Sequence, residues 1–227
     1  MAALRIGSDV VRQESPSIMV GVDIGQRVDP STIVVAEALK TPRPGMKPEH
    51  RFEIRHMERL PIGTSYPDVA QRVAGIVGTI EQRPLSANWS TPRIWLLADA
   101  TGVGRPVVDI LKEALHTSRV RIRAVTFVAG DQVTGDLRGR NYAEIRMGKA
   151  FLVSRLQALF QTERVKLPAN HAEATAMVDE LMNYEIRVSE DASDKMGVFK
   201  TGKHDDLVTA LGLAVLMDPP GAGLWAT

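Results

Sequence analysis

The stretch Ile18-Met19-Val20-Gly21-Val22-Asp23-Ile24-Gly25 decides how the rest of the chain is to be read. A continuous apolar run without polar alternation is the pattern of a strand buried on both faces, and so of the middle of a sheet. The run ends on a carboxylate. An ionised carboxylate isolated in low dielectric costs several kcal/mol unless it is paired or bound to metal. Asp23 therefore either faces water at an open strand end or is there to hold a cation. Gly25 lets the backbone turn sharply just beyond it. If a cation is held, other carboxylates must be placed to share it.

Working outward, the same pattern recurs at Ile94–Ala98, an apolar run that ends on Asp99. Thr101-Gly102-Val103-Gly104 then turns into a helix expected over Pro106–His116, with Pro106 near its start. Around the first strand, 18–24, two more are expected. Thr32–Leu39 returns beside it as a hairpin partner, and Arg51–Leu60 alternates Phe52, Ile54 and His56 with charged neighbours. The turn Gln26–Ser31 and the proline-rich loop Thr41–His50 separate the three. Val69, Val73, Ile76, Val77 and Ile80 recur at helical spacing within Tyr66–Arg83.

Arg121–Val128 reads as a further strand, and 130–139 as a polar loop or hairpin. Asn141–Phe160 is expected to be the longest helix, with Asn141 and Glu144 as an approximate capping box. A short strand at Val165–Leu167, a helix at Ala172–Asn183, a hairpin from Tyr184–Val188 and Met196–Lys200, and a last helix at His204–Met217 complete the order. An arm or linker, 1–17, precedes one domain, 18–217, and a loose tail, 218–227, follows it. This order gives an α/β layer: a mixed sheet of three antiparallel strands followed by parallel ones, flanked by helices on both faces.

Composition narrows the classes. The chain has 227 residues and is 44% hydrophobic and 24% charged, which is ordinary for a globular protein. It has no cysteine, which excludes disulfides and thiolate zinc sites and suits a reducing cytoplasm. No apolar run approaches the roughly 18 residues of a membrane span, and Met1–Ser17 lacks the apolar core of a secretory leader. With a net charge of only +1, nucleic-acid binding would need a local basic patch.

Asp205 and Asp206 open the last helix. Alone, that pair reads as macrodipole-favoured first-turn residues, and Asp99 as turn chemistry. The coincidence with Asp23 points instead to one shared site beyond the strand ends. Two carboxylates about 4 Å apart repel by roughly 4 kcal/mol at an effective dielectric near 20. Such a cluster needs a divalent cation or a shifted pKa, and all-oxygen ligands favour Mg²⁺ or Mn²⁺ over zinc.

These pieces resemble the nuclease domain of the large terminase subunit of tailed bacteriophages, an RNase H-like fold. The resemblance is carried by Gly21-Val22-Asp23-Ile24-Gly25 with Asp29 beyond, Asp99-Ala100-Thr101-Gly102-Val103-Gly104, Tyr142-Ala143-Glu144-Ile145-Arg146-Met147, and Asp206-Leu207-Val208-Thr209-Ala210-Leu211, and spans residues 18–217. It implies a metal-dependent endonuclease that cuts concatemeric phage DNA during genome packaging by two-metal phosphodiester hydrolysis. Asp23 would bridge two divalent cations, Mg²⁺ or Mn²⁺. Asp99 and Asp206 would hold one each, with Asp205 as a further ligand or support. The implied partners are double-stranded DNA, an ATPase motor, a small terminase subunit and a portal, in the host cytoplasm and away from membranes. The family usually has Ser-Pro-Asp before the closing helix and a second Asp three residues on. Here His204-Asp205-Asp206 and Thr209 stand there. The chain shows no ATPase motor motif.

DNA contacts are expected from Arg138, Arg140, Arg146 and Lys149, in a basic stretch that also holds Arg119, Arg121 and Arg123, and from Lys203 and His204 beside the acidic pair. The same charges would be equally ordinary on a solvated surface. Gly197–His204 approaches a phosphate loop but ends on His in place of the Mg²⁺-binding hydroxyl. Trp89, Trp95 and Trp225 read as packing residues. Three other functions remain open: a junction resolvase or transposase-type nuclease, a sugar-kinase or actin-like ATP-binding domain built on the two glycine turns, and a non-catalytic interaction module.

Overall fold

The computed structural model describes residues 16–25, 29–41, 48–83, 92–102, 104–130, 132–139, 142–183 and 205–219. An eight-stranded sheet forms the centre. Its strands are β1 (Ser17–Asp23), β2 (Thr32–Thr41), β3 (Glu49–Arg59), β4 (Arg93–Asp99), β5 (Arg121–Val128), β6 (Val133–Thr134), β7 (Ala143–Gly148) and β8 (Val165–Lys166), in the spatial order β6-β7-β5-β4-β1-β2-β3-β8. β1, β2 and β3 pair antiparallel, whereas β1–β4, β4–β5 and β5–β7 are parallel. The two strands that end on aspartate are therefore adjacent at the centre, as their shared pattern implies.

Side-chain alternation divides the core into two layers. Val20, Val22, Leu96 and Ala98 face one side, under α1 (Tyr66–Glu81) and α2 (Gly104–Ala114), where Val73, Val77, Val107 and Leu111 meet them. Met19, Trp95, Leu97, Val125 and Met147 face the other, under α3 (Lys149–Gln161), α4 (Ala174–Asn183) and α5 (Asp206–Ala214). Helix α5 is buried along its whole length. It lies directly on β1, because Gly21 offers no side chain: a Cβ there would collide with the Ala210 carbonyl oxygen and stand 2.6 Å from the Ala214 nitrogen.

One expected element is different. Residues 143–148 form strand β7 rather than the first turns of a helix over 141–160. Ile145 and Met147 are buried while Glu144 and Arg146 are exposed, which is the period of a strand. β5 on one side and β6 on the other supply the backbone partners. Gly148 then provides the extended residue before α3, at φ −70° and ψ 136°. Glu144 caps nothing from its strand position, and Asn141 lies outside the described residues. At 16 residues α1, not α3 with 13, is the longest described helix. The expected hairpin of Tyr184–Val188 and Met196–Lys200 also lies outside the described residues. Among the described residues no helix is long and apolar enough to cross a membrane.

Candidate metal centre and active site

The sheet register assembles the site. β1 and β4 run parallel in step from Ser17 opposite Arg93 to Val22 opposite Ala98, so one residue further on Asp23 comes beside Asp99. Neighbouring strands are about 4.8 Å apart. Both aspartates share the face of Met19, Gly21, Trp95 and Leu97, the face that α5 covers. Ala210 of α5 sits over Gly21, and Asp206 lies one turn earlier, toward the strand ends. Asp206 is buried, at 6% exposure.

The electrostatics report the same convergence. The Asp23 carboxyl is pushed well above the ordinary carboxylate range, first by burial, then by the charges of Asp99, Asp206 and Asp205, with Lys149 opposing them. Asp99 is also raised by burial, against a hydrogen bond from Thr101 and the charge of Lys149. The Lys149 ammonium donates to Asp205 at 2.8 Å, and stands among the carboxylates where positive charge is needed.

Whether these residues suit a divalent cation is tested by what surrounds them. Among the described residues no group of three or more His, Asp or Glu side chains could, as placed, hold a metal ion. Asp99 accepts the Thr101 backbone N–H at 2.7 Å, and Asp205 accepts from Lys149 at 2.8 Å. Among the described residues, two buried hydroxyls near the cluster have no hydrogen-bond partner. Thr32 Oγ1 belongs to the residue paired directly with Asp23 on β2, and Thr209 Oγ1 lies one turn along α5 from Asp206. An orphaned buried hydroxyl costs about 1–3 kcal/mol, and the waters of a Mg²⁺-type cation would satisfy such groups. An oxygen-only donor set, repelling charges and orphaned hydroxyls together fit a hydrated divalent cation.

The basic residues separate. Lys149 joins the site. Arg138 is exposed on the turn between β6 and β7. Arg146 is exposed on the sheet face opposite Ile145 and Met147, and so opposite the acidic cluster. Arg140, Lys203 and His204 lie outside the described residues. Arg123, counted in sequence with the phosphate-binding charges, is fully buried instead. Its guanidinium donates to the carbonyls of Leu137 at 3.1 Å, Ile122 at 2.8 Å and Gly139, and lies over the Trp95 ring. It tethers the loop that carries Arg138.

No family model matches the chain, and no curated protein does. Solved structures do. The large terminase nuclease of the thermophilic phage G20c aligns with a TM-score of 0.52 and 20% identity, over 88% of this chain and 81% of that one. The fold is that of a large terminase nuclease. The terminase nuclease domain of human cytomegalovirus (TM-score 0.47, 13% identity, 87% and 81% covered) and that of bacteriophage SPP1, solved with bound Mn (0.48, 14%, 94% and 92%), align more loosely. The terminase-nuclease fold is RNase H-like, with the mixed sheet and the layered helices described above.

Sequence reasoning missed one carboxyl beside this cluster. Glu180 of α4 accepts the backbone N–H groups of Leu207 and Val208 at 3.0 and 3.3 Å, beside Asp206. Burial raises its pKa to about 7, with Asp206 adding to the rise and Arg59 opposing it. In sequence Glu180 is one more charge on an amphipathic helix, with nothing to set it apart.

A carboxyl raised on folding keeps a proton that the unfolded chain has released, so stability is lost as pH rises from the ordinary carboxylate range through the raised value. In chelator, Asp23→Asn should therefore gain melting temperature relative to the native chain progressively as pH rises above about 4. Thermal melts of the two proteins across pH measure this. A difference that stays flat with pH would mean that Asp23 is not a repelled, buried carboxylate.

Proposed function

We propose that this chain is a metal-dependent DNA endonuclease that cuts concatemeric phage DNA during genome packaging. The observation that carries the reading is the meeting of Asp23, Asp99 and Asp206 at one end of the central strands of a terminase-nuclease fold, with a lysine in their midst. The charges of both Asp99 and Asp206 act on Asp23, so Asp23 would be shared between two Mg²⁺ or Mn²⁺ ions, with Asp99 and Asp206 serving one each. Asp205, now paired with Lys149, would be an additional ligand or a support. When bound, the ions would supply an activated water and stabilise charge on the scissile phosphate and its leaving oxygen.

The chain's own residues do the rest. α5 is packed onto Gly21 and holds Asp206 rigidly. Lys149 offsets the charge of the carboxylates, and its ammonium stands where it could also meet a phosphate. Arg138, on a loop fixed by Arg123, would grip the DNA backbone. Arg140, Lys203 and His204 are further candidates, as is Arg146 from the opposite sheet face. Such contacts position DNA without reading its sequence, so choice of the cutting site falls to partners: a small terminase subunit, an ATPase motor and a portal, acting in the host cytoplasm.

The test is conversion of supercoiled plasmid to nicked and linear forms in Mg²⁺, Mn²⁺, Ca²⁺ or chelator. Cleavage is expected with Mg²⁺ or Mn²⁺ and none with chelator, with little sequence preference. Cleavage that survives chelator would overturn the metal mechanism.

A further inference from the structure

An α-helix leaves its first backbone N–H groups without intrahelical partners, and an Asp at the N-cap is well suited to accept one of them. Asp205 occupies that position in α5 yet makes no side-chain capping bond. Its carboxylate is bonded to Lys149 at 2.8 Å. The N–H groups of Leu207 and Val208 go instead to one oxygen of Glu180, at 3.0 and 3.3 Å, across the packing of α4 on α5. Arg59 of β3 fixes Glu180 from the other side, through an ion pair at 3.5 Å, and anchors Glu173 of the same region at 3.0 Å. The Glu180 side chain is only 9% exposed.

As a device for stability alone this is a poor choice. It buries a carboxylate next to Asp206, a like charge, although a local cap is present at Asp205. The arrangement makes sense for the site. A cap supplied from a neighbouring helix fixes the first turn of α5, and with it the direction of Asp206. It also leaves both oxygens of Asp205 outside the capping scheme.

We propose that Glu180 is the positioning residue of the acidic centre: by capping α5 from α4 it orients Asp206 and keeps Asp205 available to the cation. This rests on the metal-dependent reading above. Residues that orient a ligand in this way typically alter metal affinity by about 10–100-fold when removed.

The experiment is Mn²⁺ binding to the full chain without DNA, by calorimetry and by the spin-resonance signal of free Mn²⁺, with thermal melting alongside. Glu180→Ala should weaken Mn²⁺ binding by about 10-fold or more. Glu180→Gln, whose side-chain oxygen accepts the same two N–H bonds, should remain within about 3-fold of the native chain. A residue that merely stabilises the fold would lower the melting temperature and leave affinity unchanged. Native affinity in folded Glu180→Ala overturns the proposal. Should Glu180→Ala fail to fold, Glu180→Asp keeps the charge but is one methylene too short to hold both bonds. Weakened Mn²⁺ binding in that variant supports the proposal and native affinity overturns it. If the native chain itself binds no Mn²⁺, the metal-dependent reading fails first, and that result is distinct from both.

Discussion

Asp206→Asn is expected to slow DNA cleavage by about 100-fold or more and to leave the fold intact. A metal-held carboxylate supports several kcal/mol of charge stabilisation in the transition state, and each 1.36 kcal/mol is a factor of about ten. The fold should survive because the cap of α5 resides in Glu180, not in Asp206. Asn also has nearly the same shape. In chelator the variant should melt at or above the native temperature, because Asp206 is one of the charges that raise the Asp23 pKa. Plasmid nicking in Mn²⁺ and melting in chelator measure the two arms. Full activity would show that Asp206 serves the helix and not the chemistry.

Gly21→Ala should have the largest effect on stability. The added Cβ would run into the Ala210 carbonyl oxygen and stand 2.6 Å from the Ala214 nitrogen, both backbone atoms of a buried helix that cannot step aside. Overpacking a dense core costs about 1–3 kcal/mol and more when backbone is struck. At about 2–4 °C per kcal/mol for a domain of this size, a fall of about 10 °C is expected. Gly75 is the control. It lies inside α1 with nothing near its would-be Cβ, so Gly75→Ala should be neutral or stabilising by up to about 1 kcal/mol. Equal melting temperatures for the two variants would show that α5 does not rest on Gly21.

The central pair of strands was legible because burial on both faces leaves a simple mark, an unbroken apolar run, and because a carboxylate at its end is conspicuous. The three opening strands were legible for the same kind of reason, with proline and glycine marking their turns. β7 was not. Ile145 and Met147 are spaced for a strand, but they run without a break into the helical pattern of α3, and only the partners β5 and β6 decide between the two. The candidate site was half legible as a cluster. Asp23, Asp99 and Asp206 announce themselves by position, whereas Thr32 acquires meaning only from the register that pairs it with Asp23. Arg123 looked like a surface charge because nothing in a sequence reveals that loop carbonyls will close over a guanidinium. Glu180 was hidden because its function lies in another helix's backbone.

The seating of α5 on β1 also sets an order in time. Asp23 leaves the ribosome well before Asp206, so a growing chain can pair β1 with β2 and β4 before the helix that carries Asp206 exists. Contacts between such distant segments wait on the closing of the long loop between them. Until then the Met19 and Gly21 face of the central strand lies open, and the two strand-end aspartates lack their third neighbour. The event that covers the Met19 and Gly21 face is thus the same one that brings Asp206 up to Asp23.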